Sequence, residues 1–449
     1  SIETFIHQYV NSSAELDHLT LLDHESLSIL LDAADRLKRF QEQETAANAT
    51  HSMLGISAPL RYRVMCSKLP EEIKHQILQQ LSNKGGPTMG GGGQDSKYNQ
   101  WVESALRLPI GRYTTLNTTG EKSGYNNPDN LDNLSPDSTI SRMLHIAKDL
   151  DMSVYGHATT KQDLLRRMVN GSPPSPILLC GPPGVGKTRI ARMALATAMG
   201  RPFIEIPMGG ATNADFIRGS LYVYEGSGPG RLVQGLQSIK AMNPVVFMDE
   251  VDKISQTHHG QEITSILIQL VDKTQNDGFE DKYFPGIKLD VSNIQFVFAA
   301  NDIDRIDPVL RDRLDVISIN GYSRDDKRQI LERHLLPEIS KEVGLSDISL
   351  TDAANDELLN RVDSEQGVRR LRELLRHTLQ SVAAAKNVSR NDKSQEACEV
   401  LGIHTKLHDL IRSTPHDTLF IVDQHLVSSI LDQRNDNQLQ RFDSSSIYM

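Results

Sequence analysis

The fold class predicted for this chain is α/β: a parallel sheet covered by helices, with a helical region before it and a small helical lid domain after it. Three observations predict it. Short apolar runs at 176–180, 202–206, 245–249, 294–300 and 316–319 alternate with helix-periodic segments. A glycine-rich turn stands where the first of those runs meets a helix. The polar, Leu- and Glu-rich stretches on either side keep helical spacing and lack strand runs.

Taken in order, residues 1–81 read as an N-terminal helical region, as in Ser26–Leu31 and Glu71–Leu81. A Gly-rich linker spans 82–98, from Gly85-Gly86-Pro87 through four successive glycines. Residues 99–170 are a helical region leading onward, interrupted at Thr114–Asp137 by an Asn-, Thr- and Gly-rich loop. The α/β domain covers 171–320 and the helical lid 321–435, of which 321–385 lacks strand character and Leu419–Leu431 reads as a strand or turn and a last helix. A polar tail fills 436–449.

Gly181-Pro182-Pro183-Gly184-Val185-Gly186-Lys187-Thr188 fits G-x-x-x-x-G-K-[ST]. The apolar run before it and the Ala-, Met- and Arg-rich helix after it, Thr188–Met199, supply the strand–turn–helix setting that a phosphate cradle requires. The loop from Gly181 to Gly186 would wrap the phosphates, its backbone N–H groups other than those that Pro182 and Pro183 lack pointing at them, Lys187 would reach the terminal ones, and Thr188 would ligate Mg²⁺; Arg189 completes the set of nucleotide contacts. About sixty residues on, Val245–Met248 ends in Asp249-Glu250. That pairing points to ATP with Mg²⁺: Asp249 holds the metal and Glu250 polarises an attacking water. Asn301, at the end of the run 294–300, is placed to orient that water, and Arg311, Arg313 and Arg369 are candidates to meet phosphate.

Composition narrows the alternatives. A net charge of −10 argues against a surface built to hold nucleic acid. Three cysteines far apart, Cys66, Cys180 and Cys398, indicate neither a disulfide framework nor a metal knot, and so an intracellular setting, cytoplasmic or an organelle matrix. No apolar run reaches membrane-spanning length, so no membrane partner is expected. The first residue is Ser1, not Met, as for a processed or trimmed start. His258-His259 has no third ligand at metal spacing and reads as polar loop. The sequons at Asn11, Asn48, Asn117 and Asn387 are read as chance.

Gly181–Leu336 resembles the AAA+ module of Lon-type ATP-dependent proteases. Beyond the phosphate loop, the likeness runs through Ile217-Arg218-Gly219, Tyr224–Leu236, Asn243-Pro244, Asp249–Lys253, Pro308–Ile317, Gly321-Tyr322, His334–Pro337 and Gly367-Val368-Arg369. Leu108–Gly111 and Tyr155-Gly156 extend it upstream. The resemblance implies a homo-hexameric ring that unfolds polypeptide, with Tyr224 gripping substrate in the pore. A flat apolar ring suits any extended chain. It also implies that Asn301 and Arg369 are nucleotide sensors and that Arg313 is the arginine offered to a neighbour's ATP, with Arg311 as runner-up because the preceding loop carries one extra residue. Glu225 departs from the apolar residue usual beside Tyr224. The 449 residues contain no PKDGPSAG-like serine–lysine peptidase segment. The expectation is therefore an unfoldase or chaperone that does not cut. The alternatives are a Lon-like protease whose peptidase is trimmed or on another chain, a nucleotide-held scaffold, and a nucleic-acid motor.

Overall fold

The structure, a computed structural model, describes residues 60–83, 92–116, 122–123, 144, 146–148, 150–152, 154–169, 175–224, 226–255, 257–345, 348–388 and 420–432. The helices expected before residue 60, most of the Thr114–Asp137 loop, Glu225, the segment 389–419 and the tail lie outside the described residues. The chain divides into two compact units, Ser1–Leu106 and Arg107–Met449.

The first unit holds α1 (Leu60–Met65), α2 (Glu71–Asn83) and α3 (Gly92–Ala105). Val64, Ile77, Trp101 and Val102 are fully or almost fully buried, and Tyr98 stacks on Trp101 with centroids 5.6 Å apart. Gly92 to Lys97, read from sequence as linker, form the first turns of α3 instead. Burial of the downstream face, Tyr98, Trp101, Val102 and Ala105, outweighs the roughly 1 kcal/mol per residue that glycine costs a helix.

In the second unit a five-stranded sheet is built from β1 (Ile177–Cys180), β2 (Phe203–Pro207), β3 (Val245–Asp249), β4 (Gln295–Ala300) and β5 (Asp315–Ser318), in the order β2-β3-β4-β1-β5, all parallel. Every residue of β4 is buried, as a central parallel strand covered on both faces requires. The register pairs Cys180 with Ala300 and Met248 with Phe298. Gly181, Asp249 and Asn301 therefore emerge side by side at the carboxyl edge, where open α/β sheets bind ligands. Four helices of this unit are α4 (Ala158–Val169), α5 (Lys187–Met199), α6 (Arg231–Ile239) and α7 (His258–Val271). The middle of α5, Ile190–Ala196, is π-helical. His258 and His259 open α7 and are not loop. Among the described residues no group of three or more His, Cys, Asp or Glu side chains could hold a metal ion, and no helix is long and apolar enough to cross a membrane.

The lid comprises α8 (Arg324–Ile330), a π-helical turn Leu331–Leu335, α9 (Leu336–Val343), α10 (Asp352–Asn360), α11 (Arg369–Val388) and a helix at 424–432. Ser323 starts α8 with a capping box, exchanging hydrogen bonds with Asp326. Leu331, Leu358, Leu371, Leu375 and Val427 form its fully buried core. One expectation fails here. Ile348–Leu350 is a strand, paired in parallel with Phe420–Val422. Its partner lies some seventy residues later, and a three-residue strand fixed by a distant partner leaves no periodic signal.

Candidate nucleotide site

The phosphate loop needs glycine at two positions. Gly184 and Gly186 have φ of 79° and 93°, in the left-handed region that side chains rarely adopt. Between them Val185 is fully buried, and its carbonyl accepts the Tyr322 hydroxyl at 3.0 Å and faces His157 Nε2 at 3.3 Å. A carbonyl can only accept, so the His157 proton is assigned to Nε2. Burial lowers the His157 pKa and pushes Tyr322 up to about 12, so both face the loop uncharged. The lid thus holds the loop by its backbone.

Lys187 caps the arrangement. Its Nζ donates to Gly181 O at 2.6 Å, Pro182 O at 3.1 Å and Asn301 Oδ1 at 2.7 Å. Burial lowers its pKa, while Asp249 and Asp252 act against that shift. Asp249 moves the other way: burial raises its pKa, against a hydrogen bond from Glu250 N at 2.9 Å. Glu250 is a non-glycine residue at φ 58°, an uncommon conformation that aims its side chain off the end of β3.

A cleft of about 380 Å³ lies between the α/β domain and the lid. Of the predicted residues, Pro183, Gly184, Gly186, Lys187, Thr188, Arg189, Asp249, Glu250, Asn301 and Arg369 line it. Gly181, Pro182 and Val185 are not in the lining; the carbonyls of the first two accept Lys187 Nζ and that of Val185 accepts the Tyr322 hydroxyl. The lining also includes Tyr155, Tyr322, His334 and Arg372, which were not read as site residues from sequence. Folding of the lid brings Tyr322, His334 and Arg372 there and Tyr155 comes from the segment before the α/β domain; Tyr155, Tyr322 and His334 stand in the motifs quoted above, and Arg372 in none of them.

The lid's contacts are close. Val368 N donates to Gly184 O at 3.1 Å, and a Cβ on Gly367 would stand 2.7 Å from Gly184 Cα. Glu338 on α9 accepts Arg189 at 3.2 Å and Arg372 at 2.7 Å. Burial raises its pKa, but the two guanidiniums outweigh that and hold the carboxyl below its usual range. The Arg369 side chain is 78% exposed, 3.7 Å from Glu373.

Other predicted residues stand elsewhere. Arg313 is not in the cleft lining; it contacts Asp272 at 3.5 Å and Val309 O at 3.1 Å, and Arg311 lies 3.9 Å from Asp304. Tyr224 is 64% exposed on the loop 219–230, with Leu221 and Val223 also exposed. Asp281, fully buried, ties the neck of that loop: its carboxylate accepts Gly230 N and Tyr283 N, each at 2.8 Å.

Comparison with known proteins agrees with this geometry. Residues 177–322 match the family model for "ATPase family associated with various cellular activities (AAA)". The segment is an AAA ATPase domain, the domain of an ATP hydrolase. Its likeness is more particular. The chain is 35% identical to a Lon protease of Cytophaga hutchinsonii over 269 residues, 58% of this chain and 32% of that protein. It is 31% identical to one of Chloroherpeton thalassium over 331 residues, 72% of this chain and 36% of the other. A mitochondrial Lon protease homolog of Caenorhabditis briggsae is 35% identical over 254 residues, 54% and 26% of the two chains. The chain is thus similar to Lon proteases in and around its AAA ATPase domain, and the matches span between about a quarter and just over a third of the length of these relatives.

Proposed function

We propose that the chain binds ATP with Mg²⁺ in this cleft, hydrolyses it, and uses the cycle to unfold polypeptide and draw it through a ring of identical subunits, a hexamer. The carrying observation is the convergence of Lys187, Thr188, Asp249, Glu250 and Asn301 at one sheet edge, with Lys187 and Asn301 2.7 Å apart. Tagged or unfolded protein is the substrate class. An ATP-containing compartment, cytoplasm or an organelle matrix, is the setting.

The Thr188 hydroxyl and the Asp249 carboxylate are oxygen donors of the kind Mg²⁺ takes, and this ion is commonly held by one or two carboxylates plus substrate phosphates. When bound, it neutralises charge on the phosphate oxygens. Lys187 exchanges its carbonyl partners for phosphate. Glu250 orients and polarises the attacking water, and the Asn301 amide fixes its other side. Arg369 approaches from the lid. Arg313 is offered to a neighbouring subunit's nucleotide, a contribution worth about 10³ to 10⁵ in rate where such arginines act.

Glu250→Gln is expected to retain ATP while turnover falls by roughly 10² or more. Wild-type turnover in that variant removes Glu250 from the mechanism. Tyr224→Ala should keep ATPase and lose ATP-driven unfolding of a fluorescent substrate; unchanged unfolding refutes grip by this loop. The relatives' name supports a second reading, the motor of a protease whose peptidase lies in sequence beyond these 449 residues or on another chain. Peptide release by these 449 residues alone would overturn the expectation that they do not cut.

A further inference from the structure

The Glu250 carboxylate accepts no hydrogen bond from any described residue, yet the water-orienting role proposed above demands that it be placed. The neighbouring backbone leaves room for it where a side chain would otherwise stand. The backbone leaving β2 runs beside the end of β3: Pro207 registers with Asp249, and Met208 N donates to Asp249 O at 2.8 Å. The next residue is Gly209. A Cβ built there would overlap Glu250 Oε2 and would stand 3.4 Å from its Cδ and 3.5 Å from its Cβ. The carboxylate thus rests in the volume that any other residue would fill.

Gly210 supplies an internal contrast. A Cβ on it meets nothing within 4 Å. Neither glycine is among those at positive φ, so the backbone accepts alanine at both. The two positions therefore differ in one respect, the carboxylate beside Gly209. Conformational freedom explains neither glycine.

We propose that Gly209 is a positioning residue for Glu250: it gives the carboxylate its seat at the end of β3 and fixes where it meets the attacking water. The inference rests on the role assigned to Glu250 above. A methyl at 209 displaces an exposed, flexible carboxylate, not backbone, so the fold tolerates it and the reacting geometry does not. A misplacement of about 1 Å can cost on the order of 10²-fold in rate.

The test measures steady-state ATP turnover, nucleotide Kd by calorimetry with a slowly hydrolysed analogue, and Tm, for wild type, Gly209→Ala, Gly210→Ala and Glu250→Gln. Gly209→Ala is expected to lower kcat at least tenfold, with KM, Kd and Tm matching those of Gly210→Ala, whose kcat stays at the wild-type value. Wild-type kcat in Gly209→Ala overturns the inference, as does a fall matched by weaker Kd or lower Tm, which marks a structural role. If Glu250→Gln turns over normally, the role of Glu250 falls and the inference with it. If Glu250→Gln is inactive while Gly209→Ala is not, only the inference fails.

Discussion

Gly367→Ala probes how the lid closes on the phosphate loop. The added methyl would overlap Pro183 O and stand 2.7 Å from both Gly184 C and Gly184 Cα. Carbon atoms at rest lie about 3.5 Å or more apart, so the two walls must separate by roughly 1 Å. Both walls are backbone, and Val368 N is bonded to Gly184 O at 3.1 Å beside them, so no side chain can swing away to absorb the strain. Overpacking of this kind costs about 1–3 kcal/mol. It is relieved only when lid and loop part, so the closed cleft loses about 5- to 150-fold against the open one, at about 1.4 kcal/mol per tenfold. Nucleotide that needs both walls then binds more weakly, up to that factor. Calorimetric titration with ATP measures it directly. A Kd within twofold of wild type would mean that the lid's approach does not contribute to binding.

Two further outcomes are expected. Burial pushes the Asp281 carboxyl up to about 7 against the two N–H groups it accepts. Its folded pKa exceeds its unfolded one, so its stabilising share is full below about pH 4 and is lost as pH rises through about 7, on the order of 1–3 kcal/mol. Wild-type Tm should therefore fall between pH 5 and 8 relative to Asp281→Asn, and parallel curves would exclude the effect. Phe298→Ala, at the fully buried centre of β4, should cost about 3–5 kcal/mol in a denaturant titration; a loss below 1 kcal/mol would mean that the sheet core collapses around the cavity.

Much of the α/β domain was legible because parallel strands buried on both faces are short unbroken apolar runs. The run 245–249 coincides with the strand Val245–Asp249 and the run 176–180 exceeds Ile177–Cys180 by the one proline, closed by an acidic turn and by the phosphate-loop glycine respectively. Lys187, Thr188, Asp249, Glu250 and Asn301 were legible for the same reason, since each follows directly from a strand end or the loop. What escaped depends on contacts distant in sequence. The Ile348–Leu350 strand exists through Phe420–Val422, and Tyr322 and Arg372 reach the cleft only because the lid folds over it. Gly92 to Lys97 carry a linker's composition, yet the aromatic face downstream makes them helix. The seat of Glu250 escaped differently. Glycine at 209 and 210 looks alike in sequence, and only the carboxylate beside one of them separates the two.

The lid's ties to the phosphate loop share a chemical character that fixes what it can sense. Tyr322 and Val368 hold the loop through Val185 O and Gly184 O, both carbonyls, while Lys187 is held by Gly181 O and Pro182 O, carbonyls of the same loop. Carbonyl oxygens directed at the lid and at Lys187 leave the N–H side of the loop for an anion, the polarity that a nest of backbone donors requires. Glu338 extends the coupling along α5: it binds Arg189, two residues beyond Lys187, and Arg372 of α11 through the same carboxylate. Any ligand that draws Lys187 from its carbonyls therefore acts between two points already joined to the lid, the loop at Gly184 and Val185 and the helix at Arg189. Movement of the lid and occupation of the loop are therefore expected to be coupled, because the same short loop turns its carbonyls to one and its N–H groups to the other. That arrangement explains why a single methyl at Gly367 is expected to register in nucleotide affinity, whereas one at Gly209, beside Glu250, is expected to register in turnover alone.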